Sequence, residues 1–107
     1  MFGHHVYFTL HDNSSAAATA LRESCRQYLS QHDGIVFFAA GTRNPEMTRD
    51  VNDQDFDVAL LIVFRDQAAH DAYQVAPTHD EFIAANKDNW KQVRVFDADM
   101  LDGQGRS

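Results

Sequence analysis

The residues Val58-Ala59-Leu60-Leu61-Ile62-Val63-Phe64 form an unbroken apolar run behind Asp57. Seven residues are too few for a helix with this composition, and the β-branched and aromatic side chains favour an extended chain. A strand sends successive side chains to opposite faces, so a run with no polar alternation must be covered on both sides. Any fold for this sequence has to satisfy that demand first.

The other elements are arranged around this strand. From His5 to Leu10 the pattern alternates, with Val6, Phe8 and Leu10 on one side and His5, Tyr7 and Thr9 on the other, which predicts a first strand. His11-Asp12-Asn13-Ser14 supplies turn and capping residues. Ala17, Leu21, Cys25, Tyr28 and Leu29 then recur at helical spacing, predicting a helix over about 15–32 that ends at Asp33-Gly34. Ile35 to Ala40 reads as a short buried strand, and Thr42 to Asp55 as a long polar loop or lid. Asp66 is placed to cap a short helix through Ala69 and Tyr73, stopped by Pro77. Thr78-His79-Asp80-Glu81 fits a capping box opening another helix, with Thr78 as the N-cap. Val93 to Phe96 closes the fold, and the residues from Asp97 onward are expected to fray.

This order predicts an α+β, ferredoxin-like βαββαβ domain with a four-stranded antiparallel sheet and its helices on one face. The other face then lacks cover. Val6, Phe8, Leu10, Val58, Leu60, Ile62 and Phe64 make one apolar row set, while Tyr7, Ala59, Leu61 and Val63 contribute to the other. Leaving the first set in water would forgo ~10 to 20 kcal/mol, at ~1.5 to 3 per side chain. That rivals the ~5 to 15 kcal/mol net stability of a whole domain. A second sheet packed face to face is the expected cover, giving a homodimeric α/β barrel. The polar 42–55 loop has almost no large apolar residue with which to do the job instead.

At 107 residues the chain is read as one domain over 1–107, with its core at about 3–99 and a polar tail at 100–107. A formal charge of -7 opposes binding to nucleic acid or to anionic membrane surfaces. No apolar stretch approaches a membrane span, and Met1-Phe2-Gly3-His4-His5 has no secretory pattern, so a cytoplasmic location is expected. Cys25 is the only cysteine, which rules out an internal disulfide and a cysteine zinc site. Its helical spacing predicts buried packing.

Several segments resemble, in order and spacing, the Dabb family of stress-responsive A/B barrel domains. They are His5-Val6-Tyr7-Phe8, Phe56-Asp57 through Phe64, Tyr73 through Pro77-Thr78-His79 to Phe82, and the closing Val93-Arg94-Val95-Phe96-Asp97. The resemblance spans about residues 3–99. It implies a dimeric barrel with a cavity between sheet and helices. A plant member with polyketide cyclase activity uses four positions that correspond to His5, Asp57, Tyr73 and His79. The sequence departs from the plant pattern at Asp57, where histidine would be expected, and at Ala76 before the proline.

These four are the candidate catalytic residues. A neutral His79 at the first turn of a helix can take a proton, and Tyr73 can donate to a carbonyl or enolate oxygen. His5 would look in from the first strand, and Asp57 would orient an imidazole or accept a proton itself. The expected chemistry is proton abstraction beside a carbonyl, with no cofactor. Each residue also has a plainer reading: His79 and Tyr73 as buried hydrogen-bonders, His5 as a satisfied or solvent-facing side chain, Asp57 as a strand cap or a partner of Arg43 or Arg49.

Because His4 and His5 alternate across a strand, only one of them can point inward. His11, His32 and His70 read as surface residues. No His-x-His or His-x-x-x-His pair occurs, so no built metal site is expected. Tyr7, Tyr28, Phe82 and Trp90 are candidates to line an apolar pocket, or simply to fill the core.

The reading preferred from these observations is a homodimeric Dabb-type protein binding a small, largely apolar ligand. The alternatives are a cofactor-independent cyclase or isomerase, a monooxygenase sharing the architecture, and a non-catalytic regulatory or dimerisation module. A cavity holding His79 and Tyr73 together favours the ligand binder or an enzyme; a core filled solid by Tyr28, Phe82 and Trp90 favours the module.

Overall fold

A computed structural model describes all residues, 1–107. Four strands, β1 (Phe2–Leu10), β2 (Ile35–Thr42), β3 (Val58–Phe64) and β4 (Trp90–Asp99), form one antiparallel sheet in the order β2-β3-β1-β4. Three helices, α1 (Ser15–Leu29), α2 (Gln67–Gln74) and α3 (Pro77–Asn86), lie on one of its faces, and a 3-10 turn at Lys87–Asn89 leads into β4. This is the ferredoxin-like α+β arrangement that the pattern predicts. The apolar run of β3 sits in the interior of the sheet beside β1, where both of its edges are hydrogen-bonded.

The helices seal the row containing Phe2, Val6, Phe8, Leu10, Val58, Leu60, Ile62 and Phe64 against Leu21, Cys25, Leu29, Tyr73 and Phe82. This corrects the expected assignment of faces. The row reserved for a partner sheet is covered by the chain's own helices. The uncovered face carries Gly3, His5 and Tyr7 of β1, Phe37 and Ala39 of β2, Leu61 and Val63 of β3, and Arg94, Phe96 and Ala98 of β4, as the strand register dictates. On it Phe37 is 52% and Phe96 54% exposed, so the case for a partner moves to this face rather than disappearing.

The loop between β2 and β3 lies over part of the same face, held by polar contacts where its composition offers no greasy ones. Arg94 donates to the Asp53 carboxylate at 2.7 Å and to the Asp55 carbonyl at 2.9 Å. Thr9 Oγ1 donates to the Asp55 carbonyl at 2.9 Å, and the ring of Phe56 packs on Tyr7 at 5.2 Å.

Local signals set most of the element ends. Ser14 caps α1 through the amide of Ala17, and Asp66 caps α2 through the amide of Ala69. Gly34 has φ of +88°, and a Cβ there would lie 2.5 Å from the Ala69 Cβ, so both backbone and space require glycine. The capping box at Thr78 does not form. Pro77 itself occupies the first turn of α3 behind Ala76, and the Thr78 hydroxyl pairs with His32 Nε2 at 2.9 Å instead. The closing strand is longer than its apolar core, running to Asp99, because β1 starts at Phe2 and supplies hydrogen-bonding partners for the polar end.

Candidate functional site

The helices pack chiefly over β1, β2 and β3 and leave the inner side of the edge strand β4 uncovered, so Val93 and Val95 remain exposed. Between that strand and α2–α3 runs a cleft with a cavity of about 170 Å³, walled by Val6, Phe8, Leu29, Leu60, Phe82, Ile83, Trp90, Val93 and Val95. Phe8, Phe82 and Trp90 form an aromatic floor, with ring centroids 5.1 to 6.2 Å apart.

Polar groups occupy one side of this apolar space. Tyr73, near the end of α2, meets His79 of α3 edge-on at 4.9 Å between centroids, and His4 of β1 at 5.9 Å. His32, after α1, closes on the same tyrosine at 5.1 Å. The break between α2 and α3 makes this possible: extended backbone at Ala76 ahead of Pro77 interrupts the helix, and residues six apart face each other. His4 is buried, and its Nδ1 stands 2.6 Å from Asp97 Oδ1 on β4, its cross-strand partner.

Burial sets the protonation states. It pushes the Tyr73 hydroxyl well above its ordinary range, with Cys25 adding to the effect, so the phenol stays a donor. It lowers His79, opposed by Asp80, and so leaves a neutral ring. His4 presents two opposing indications: the short contact with Asp97 favours imidazolium, while desolvation favours the neutral ring. Desolvation is the larger and lowers its pKa. We therefore take the pair as a neutral imidazole whose Nδ1–H donates to the carboxylate, leaving the Nε2 lone pair free. Two buried polar atoms lining or flanking the cavity, His79 Nδ1 and Trp90 Nε1, have no hydrogen-bond partner in the chain. Burial raises the Cys25 thiol to about 12, leaving it inert packing.

Of the residues singled out from the sequence, the structure brings Tyr73, His79, Phe82 and Trp90 together. His5 and Tyr7 lie on the opposite sheet face, beside a depression of about 550 Å³ under the 43–57 loop. His5 Nδ1 there pairs with the Phe96 carbonyl at 2.9 Å. Asp57 is a junction residue: its carboxylate accepts from the Leu10 amide at 2.8 Å, and its own amide donates to the Phe8 carbonyl at 2.7 Å. Tyr28 packs beside the core outside the cavity.

His4 and Asp97 were missed. Strand parity groups His4, not His5, with Val6, Phe8 and Leu10, but only the fold shows that this row is the one the helices cover. His32 and His70, read as surface residues, are both half-buried against aromatic rings.

Residues 2–100 match the sequence profile of the stress-responsive A/B barrel domain, Dabb. The chain belongs to the Dabb family. A Dabb protein of ferredoxin-like fold from Mesorhizobium loti superposes with a TM-score of 0.75 at 22% identity, over 94% of this chain and 96% of the other. A dimeric ferredoxin-like protein from Thermobifida fusca gives 0.74 at 13%, over 92% and 90%. A hydroxynitrile lyase from Passiflora edulis gives 0.73 at 14%, over 94% of each chain. At these identities the likeness is one of fold. No curated protein sequence matches the chain. No helix of this Dabb chain is long and apolar enough to cross a membrane.

Proposed function

We propose that this Dabb protein is a homodimer that binds a small, largely apolar ligand between sheet and helices. The observation that carries the reading is the 170 Å³ cavity, apolar except for His4, Tyr73, Gln74 and His79. Its size suits a single ring, since a cavity of ~150 Å³ holds benzene. A longer ligand would extend along the exposed Val93 and Val95 of β4. The unpartnered Trp90 Nε1–H and His79 Nδ1 call for an oxygen-bearing ligand, because buried polar groups without partners cost ~1 to 3 kcal/mol each. Trp90 is the chain's only tryptophan and reports directly on occupancy. Titration with phenolic and aryl-ketone compounds should give a saturable change in its emission and a raised melting temperature. A panel that moves neither, or moves both equally after Ile83→Phe narrows the cavity, defeats the reading.

A second reading, a cofactor-independent cyclase or isomerase, is favoured by the pairing of a protonated phenol with a neutral imidazole 4.9 Å away between ring centroids. In it Tyr73 donates to a substrate carbonyl while His79 removes the adjacent proton, and the enolate charge is held by the phenol rather than by a metal. His4, oriented by Asp97, is a second candidate base. Tyr73→Phe and His79→Ala should each lower turnover of a β-keto substrate by about 10² or more. Unchanged turnover in two folded variants removes the acid–base pair.

A further inference from the structure

We infer that His4, His70 and Asp97 form a binding site for a first-row divalent transition metal of the Zn²⁺ type. One ring nitrogen from each histidine and one Asp97 oxygen lie within 4.8 Å of one another. They come from β1, α2 and β4, so no spacing in the sequence announces the set. Around a tetrahedral Zn²⁺ with ~2.0 to 2.2 Å bonds, ligand atoms stand roughly 3.3 Å apart, so an ion held by both groups would replace the 2.6 Å hydrogen bond between His4 Nδ1 and Asp97.

The surroundings are those of a held site rather than a chance surface cluster. The His4 and His70 side chains are only 6% and 12% exposed. The ring of His70 is clamped between Phe2, at 4.3 Å, and Phe64, at 5.6 Å. His70 Nδ1 lies 3.1 Å from an Asp71 carboxylate oxygen. A proton held there leaves the lone pair on Nε2, the carboxylate–histidine arrangement that orients metal ligands; the Gln74 side-chain amide now lies 3.4 Å from that nitrogen, and a metal would take its place. Asp97 is 39% exposed and provides the way in and an open coordination position. Two imidazoles and one carboxylate favour Zn²⁺, Co²⁺ or Fe²⁺ over Mg²⁺ or Ca²⁺, which take oxygen ligands. The site shares His4 with the proposed cavity but does not depend on that reading.

Metal-free protein titrated with Zn²⁺ in a calorimeter should bind one ion per chain, with Mg²⁺ giving no heat of binding, and Co²⁺ should develop visible absorption. His70→Ala and Asp97→Asn should each weaken Zn²⁺ binding at least tenfold, with circular dichroism confirming the fold. His11→Ala, at an exposed histidine outside the cluster, should leave binding as it was. Absence of Zn²⁺ uptake by the unaltered protein overturns the inference. So does uptake that survives both His70→Ala and Asp97→Asn at full affinity. Trp90 titration with organic ligands reads the cavity separately, so the two conclusions can fail independently.

Discussion

Desolvation is the largest influence on the buried titratable groups His4, Cys25, Tyr73 and His79, and it has a sign that solution measurements can check. His4 and His79 both have pKa values lowered from the usual 6.5 by burial. Each therefore binds a proton more readily in the unfolded chain than in the folded one. Their contribution to stability is fully present above the unfolded value of 6.5 and is lost as pH falls from there through the folded pKa. The melting temperature should drop between pH 7.5 and pH 5, and His79→Gln should flatten that slope. An unaltered slope in the variant would show that His79 is not the titrating group. At Gly34 a side chain is excluded twice over, by φ of +88° and by Ala69. Gly34→Ala should cost at least about 1 to 2 kcal/mol from the left-handed backbone alone, measured by denaturant unfolding.

Among the elements, α2 is the one whose ends matter most. It spans only eight residues yet carries both Tyr73 and His70, and a helix that short has little stability of its own. The Asp66 carboxylate on the Ala69 amide, at 2.9 Å, is its side-chain cap. Asp66→Ala should cost about 1 kcal/mol and reduce amide-exchange protection in α2 before the sheet is affected. Equal loss of protection across all elements would mean that α2 does not open independently. These caps were legible because they are short-range: Ser14 and Asp66 each bond an amide three residues on. The capping box at Thr78 looked equally good and failed, since Pro77 already fits the first turn of α3 and His32, distant in sequence, captures the hydroxyl.

At the scale of the whole molecule, the outer sheet face is the surface that the chain's own helices leave uncovered. Phe37, Phe96, Tyr7, Leu61 and Val63 give it an apolar centre. If two copies pair through this face, light scattering at micromolar concentration should give twice the mass of one chain. Phe37→Glu with Phe96→Glu should then return it to a monomer that keeps its fold, because both rings are about half exposed in the single chain. A monomeric unaltered protein would refute the proposed dimer.

Periodicity alone determined the strands, the helices, their order and hence the ferredoxin-like plan, because an element's hydrophobic pattern records whether one or both of its faces are buried. The resemblance to the Dabb pattern, not periodicity, picked out Tyr73 and His79, while Phe82 and Trp90 stood out as aromatic candidates for pocket or core; the four share two neighbouring helices and the start of the next strand. Only the tertiary structure decided which sheet face the helices take, and with it the exchange of His5 for His4. A strand apolar on both sides carries no mark of which side meets helix. The meeting of His4 with Asp97 and His70 was invisible for a related reason: contacts between residues 93 and 66 positions apart depend on how strands and helices are laid together, and no local spacing encodes that.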